Sequence, residues 1–249
     1  MQSRRSLIAT TLMALIAACG AAAASTESSS SDNTKGLPSA FAKFTSAVTV
    51  TQSGENVVIR ATGVPDHKSV YFSSTDPRYE PYTGTNKNFS SNEFQIVEQQ
   101  LTLTIPMNPK AATTHASTPL GPIGIAVNGV PIFNQYNGQN RPLAVEINSF
   151  DQYNGHPQQT GQYHYHVEPL GITQKNGSSA LIGFLLDGFP VYGPIENGKR
   201  ITNADLDELH GHVGVTAEYP KGIYHYHITT EDPYINGAGF YGTPGTIGR

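Results

Sequence analysis

The sequence predicts a mostly-β, turn-rich single domain containing an internally duplicated β unit, with one short helix. Its 249 residues include 25 Gly and 17 Pro, which leaves little room for long helices. Short runs of β-branched and aromatic residues recur between Gly, Pro, Asn and Asp. Two long stretches repeat one another and each arrives at Tyr-His-Tyr-His.

The chain opens as an export signal over residues 1–19. Arg4 and Arg5 form a positive start, and Leu7 to Ala18 is an apolar core too short for a stable bilayer anchor. Leu15-Ile16-Ala17-Ala18-Cys19-Gly20 resembles a lipobox, which makes Cys19 the expected lipidation site; the alternative is an ordinary secretory signal cut after Ala22-Ala23-Ala24. Ser3-Arg4-Arg5-Ser6-Leu7 also resembles a twin-arginine signal, so export by either route stays open. Residues 20–36 are rich in Ala and Ser, poor in large apolar side chains, and are expected to form a flexible tether. Cys19 is the only cysteine, so the mature domain has neither a disulfide nor a thiolate ligand.

Residues 37–110 read as an N-terminal β region. Strands are expected at residues 47–51, 56–61, 69–72 and 101–105, with Ser53-Gly54-Glu55 as a hairpin tip. Residues 111–249 read as the duplicated domain. Ile123-Gly124-Ile125-Ala126-Val127-Asn128-Gly129-Val130-Pro131-Ile132-Phe133 aligns with Ile182-Gly183-Phe184-Leu185-Leu186-Asp187-Gly188-Phe189-Pro190-Val191-Tyr192. Each is an apolar run into Asn-Gly or Asp-Gly, a strong hairpin signal because both turn residues favour positive φ. Asp151-Gln152-Tyr153-Asn154-Gly155-His156 then aligns with Asp207-Glu208-Leu209-His210-Gly211-His212. The single helix is expected over Asn203 to Leu209, capped by Thr202 or Asn203 and ended by Gly211.

Seven of the nine histidines fall in the two repeats. In a strand, alternate side chains share a face, so His164 and His166 point one way and Tyr163 and Tyr165 the other; His225 and His227 are arranged alike. Two imidazoles on one face, with a third from each Gly-His turn, make His156, His164, His166, His212, His225 and His227 candidate metal ligands, in one composite site or two equivalent ones. Under the competing reading the tyrosines are core and the histidines merely face water. Asp151 and Asp207 are candidates to orient a ligand histidine or to bind metal directly, and His210, whose counterpart is Asn154, is a further candidate. Asp187 is explained by turn chemistry, and the tyrosines by core packing. His67 and His115 lie outside the pattern. With sulfur limited to Met107 in the mature chain, the ion expected is Zn or Cu(II), not Cu(I).

The doubled motif and its flanks resemble the YHYH domain proteins over roughly residues 100 to 241. The resemblance includes Gly129-Val130-Pro131-Ile132-Phe133-Asn134, Leu186-Asp187-Gly188-Phe189-Pro190-Val191-Tyr192-Gly193 and Pro233-Tyr234-Ile235-Asn236-Gly237. Because that family is defined by its motif, the resemblance implies the domain and its histidines, not a reaction.

Several functions are excluded or disfavoured by what the sequence lacks. The formal charge is −4 and no basic stripe offers itself to nucleic acid, so the expected partners are a metal ion and, through the N-terminal lipid only, a membrane. His-Glu-x-x-His, Gly-x-Ser-x-Gly, phosphate-loop and dinucleotide fingerprints are missing. The expectation is an exported, lipid-anchored metal-binding protein of the cell envelope, acting in metal homeostasis. The alternatives are a metal-dependent hydrolase or oxidase, with Asp207 or His210 as the acid/base group of a hydrolase, and a surface interaction protein braced by metal.

Overall fold

The computed structural model describes residues 36–248; the export signal, Cys19 and the tether as far as residue 35 lie outside the described residues. In chain order the first strands are β1 (Thr49–Ser53), β2 (Asn56–Ala61) and β3 (Leu101–Pro106). The first repeat supplies β4 (Pro122–Ala126), β5 (Pro131–Phe133), β6 (Gly155–Pro157) and β7 (Tyr163–Tyr165). After helix α1 (Leu170–Asn176), the second repeat supplies β8 (Leu181–Leu185) and β9 (Pro190–Tyr192), then the short pair β10 (Ile195–Glu196) and β11 (Lys199–Arg200). It ends with β12 (Gly211–Gly214) and β13 (Ile223–His227), and β14 (Thr246–Gly248) closes the chain.

Two main sheets share one apolar core. The smaller has the order β1-β2-β3-β14, so the last strand of the chain returns to the N-terminal sheet. In β2 and β3, Val57, Ile59, Leu101, Leu103 and Ile105 are buried while their neighbours are more exposed, the alternation of a sheet covered on one side. The larger sheet has the order β12-β13-β9-β8-β4-β5-β7-β6. Its central strands β4 and β8 are buried at every residue, as expected of apolar runs enclosed on both faces. Phe41 stacks on Phe184 with centroids 4.4 Å apart, and Gly129 turns tightly against Val48 and Ala61.

The duplication is visible as a pseudo-two-fold relation. Each repeat makes a hairpin, β4–β5 or β8–β9, whose second strand pairs in parallel with a Tyr-His-Tyr-His strand. The two hairpins meet at β4 and β8, where Gly124 pairs with Leu185, Ile125 with Phe184, and Ala126 with Gly183. Ile125 and Phe184 are aligned residues, so the pseudo-axis passes between them. Matching register shifts at Pro122/Gly124 and Leu181/Gly183 repeat even the local irregularity.

Two expected elements differ in place or kind. Residues 69–72 form a turn because the Ser69 hydroxyl bonds Asp151 and accepts from the Tyr71 amide, and the Phe72 amide closes back on the Ser69 carbonyl. The helix expected over 203–209 is a single 3-10 turn, Asn203–Asp205, held by a Thr202/Asp205 capping box. The Asp207 carboxylate then takes the amides of Leu209 and Gly211 and bends the chain into a turn before a helix can extend. Among the described residues the α-helix is α1, which buries only Ile172 and Thr173.

Candidate metal centre

Each half of the large sheet ends in an antiparallel pair that carries the histidines. In the first half His156 on β6 lies directly opposite His164 on β7, and His166 follows two residues along the same face. In the second, His212 on β12 lies opposite His225 on β13, with His227 beyond. Gly155 and Gly211 precede the hairpin histidines for a steric reason: a Cβ at these positions would meet the Tyr163 ring at 2.4 Å or the Tyr224 ring at 2.5 Å.

The tyrosine face explains the acidic candidates. Tyr163 donates to both oxygens of Asp151, and Tyr224 donates to Asp207, at 2.9 Å. Asp151 also accepts from Ser69 and from the Tyr153 and Gly155 amides. The second tyrosine of each motif meets the aligned hairpin residue: Asn128 donates to Tyr165 at 3.1 Å, and Tyr226 donates to Asp187 at 2.6 Å. Thus Asp151 and Asp207 lie across the strand from the histidine face, each as a brace for a tyrosine. His210 is also apart from the histidine groups. Like its counterpart Asn154 it takes positive φ in the turn, and its Nε2 meets Asn203 and Thr229.

On the histidine face the ring nitrogens converge. His164 Nε2 lies 3.1 Å from His156 Nε2 and 3.0 Å from His166 Nε2. In the second half His212 Nε2 and His225 Nε2 are 3.1 Å apart. A carboxylate closes each group: Glu146 Oε1 is 3.3 Å from His156 Nε2, and Glu196 Oε1 is 3.3 Å from His225 Nε2. All four ligand atoms lie within 4.8 Å of one another in Glu146/His156/His164/His166 and in Glu196/His212/His225/His227. Four ligands at roughly 2.0–2.1 Å around a tetrahedral ion would be about 3.3 Å apart, so both groups are of a size that could hold one.

The opposite ring nitrogens fix the tautomers. His164 Nδ1 donates to the Gln162 carbonyl, His166 Nδ1 to that of Asn134, His225 Nδ1 to that of Ile223 and His227 Nδ1 to that of Gly193. Asn134 and Gly193 are aligned residues, each just beyond its hairpin strand. A carbonyl oxygen only accepts, so these nitrogens carry the proton and the Nε2 atoms present lone pairs. His156 Nδ1 reaches Ser149 Oγ, whose own proton goes to the Glu146 carbonyl, with the same consequence.

Burial and neighbouring rings disfavour the charged form of four of these imidazoles. Burial pushes His164 well below the ordinary value, and His156 and His166 push further. His166 and His227 are held at about 4, chiefly by burial, and His225 is lowered for the same reason. In each group the Nε2 atoms thus converge on one another beside a carboxylate, an arrangement that a cation would relieve.

Glu146 and Glu196 were missed by the sequence because they occupy loops of different length and structure, a 3-10 turn at Glu146–Ser149 and strand β10. The available signal was that Glu146 is the only acid between Phe133 and Asp151.

The surroundings of the two groups differ. Phe133 stacks on His164 at 3.9 Å, and buried Phe150 packs against both His156 and His166. In the second half Tyr192 replaces Phe133, half-buried Leu206 stands in the position of Phe150, and His212 is 28 % exposed where His156 is 5 %. His225 and His227 line a cleft of about 900 Å³.

Comparison with curated proteins and with solved structures returns no match. The family model described as YHYH protein matches residues 102–201 and 196–239, which takes in both repeats and every histidine of the two groups, and the chain belongs to that family.

Proposed function

We propose that this is an exported metal-binding protein that holds two Zn or Cu(II) ions, one in each histidine group, and serves metal homeostasis at the cell envelope. The observation that carries the reading is the inward convergence of Nε2 atoms beside a carboxylate in both halves, with four of the six Nδ1 atoms committed to backbone carbonyls. Three imidazoles and a carboxylate suit either ion, and neither group includes a sulfur ligand that would favour Cu(I). The N-terminal sequence supports export and attachment through Cys19. Among the described residues no helix is long and apolar enough to cross a membrane.

The cleft at the second group supports a second reading, a metal-dependent hydrolase or oxidase. When bound, the metal would supply Lewis acidity or redox chemistry. Glu196, His212, His225 and His227 would hold it, and the Nδ1 bonds to Ile223 and Gly193 would fix two of the rings. A surface interaction protein braced by metal is the third.

Elemental mass spectrometry on the untagged mature protein tests the proposal. Two equivalents of Zn or Cu per chain are expected. His164→Ala with His166→Ala should empty one site, and His225→Ala with His227→Ala the other. A folded protein that takes up neither ion on reconstitution would sink the reading.

A further inference from the structure

We infer that the two histidine groups are chemically unequal: the first is a closed centre, and the second is an open one that takes a small anionic ligand from the cleft beside it. This rests on the reading that both groups bind metal. It goes beyond that reading by assigning exogenous ligand binding to one of them.

The walls decide the difference. In the first group the rings of Phe133 and Phe150 pack on the imidazoles, and His156, His164 and His166 are all buried. These apolar rings cover the imidazoles, and the most exposed member of the group is Glu146, at 24 %. In the second group neither ring has a counterpart that does the same work. Tyr192 meets His225 edge-on at 5.2 Å and carries its hydroxyl to Thr216 at 2.7 Å and Glu218 at 2.8 Å. Leu206, in the place of Phe150, is only half buried.

The cleft is lined by Glu196, His225 and His227 together with Lys43, Asn176, Tyr192 and Glu218. His225 and His227 are as buried as their counterparts, and the ring that opens the group is His212, 28 % exposed. His227 Nε2 is buried and has no hydrogen-bond partner in the protein, although its ring is fixed through Nδ1. That lone pair is the one a metal in the second group would take, at the wall of the cleft.

Charge sets the class of that ligand. A divalent ion held by three neutral imidazoles and one carboxylate keeps a net positive charge. Across the cleft Lys43 is paired with Glu218 at 3.1 Å, so that wall contributes little net charge. A small anion, such as a carboxylate or a pseudohalide, therefore meets an attractive centre, and a fifth coordination position is accessible to Zn and Cu(II) alike.

The test uses the full mature protein loaded with Cu(II), with azide as the probe. Metal content is measured first, which separates the two ideas: a protein that takes no Cu(II) overturns the metal reading and this inference together. With two ions bound, titration should show one azide per chain by its charge-transfer band and by a change in half of the electron paramagnetic resonance signal. No azide, or two per chain, would overturn the inference while leaving metal binding intact. Thr216→Trp places bulk in the cleft without touching a ligand. It should keep both ions and weaken azide by about tenfold or more, the equivalent of about 1.4 kcal/mol. Unchanged azide affinity in that variant would place the anion elsewhere and overturn the assignment.

Discussion

Gly183 approaches Ile125 so closely that a Cβ on the glycine would lie 2.1 Å from the Ile125 carbonyl oxygen. The aligned Gly124 stands in the same relation to Phe184, at 2.5 Å from its carbonyl oxygen. These two contacts form the seam between the repeats, and both contacted atoms are backbone, which cannot rotate away. Gly183→Ala should therefore destabilise the protein by about 1–3 kcal/mol or more. Gly138→Ala, where the new methyl meets open space, should change stability by less than about 0.5 kcal/mol. Urea denaturation of the two variants checks this, and equal midpoints would refute the seam argument.

The carboxylates are expected to matter as much as the rings. Glu146→Gln and Glu196→Gln keep the side-chain shape but remove the charge beside His156 and His225. Each should weaken metal binding in its own half by about tenfold or more, read by competition with a chelator. If both variants bound as tightly as the parent, neither glutamate would be a ligand.

Asp151 should affect stability and leave metal stoichiometry alone. Its buried carboxylate receives the Tyr163 and Ser69 hydroxyls and two backbone amides, all on the side away from the lone pairs. Asp151→Ala strands these donors and should cost about 1–3 kcal/mol or more. Retained metal with a lower unfolding midpoint is the expected result. Lost metal in a fully stable variant would assign Asp151 to the centre instead.

The metal-free protein should lose stability in mild acid. His166 and His227 are held at about 4 in the folded state, below the ordinary value near 6.5. The unfolded chain therefore binds more protons between these limits, and folding is favoured less as pH falls through them. The contribution is fully present above about 6.5 and is lost on approaching 4. Denaturation of chelator-treated protein at pH 7.5 and pH 5 measures it; a flat profile would mean that these rings are not buried neutral.

Much of this protein is legible in its sequence because its signals are local. Alternation in Val57-Val58-Ile59 and Leu101-Thr102-Leu103 gives strands, and Asn128-Gly129 and Asp187-Gly188 give hairpin turns. Period-two geometry puts His164 with His166 and His225 with His227. The turn at residues 69–72 was not legible, since it depends on Ser69 meeting Asp151, far away in the chain. Nor was the early end of the helix after residue 205, where a side chain outcompetes helix propensity for two amides.

What the sequence determined by itself was the repeat, the β character and the sharing of a face by the motif histidines, because strand periodicity follows from covalent geometry. Tertiary structure decided how those pieces combine. The symmetric pairing of β4 with β8 sends the two motif strands to opposite sides of the sheet, giving two histidine groups in place of one composite site. It also brings in Glu146 and Glu196 from unlike loops, and it closes one group with Phe150 while leaving the other beside a cleft. Contacts between residues distant in the chain depend on where whole strands are placed, and no spacing within a motif encodes that placement.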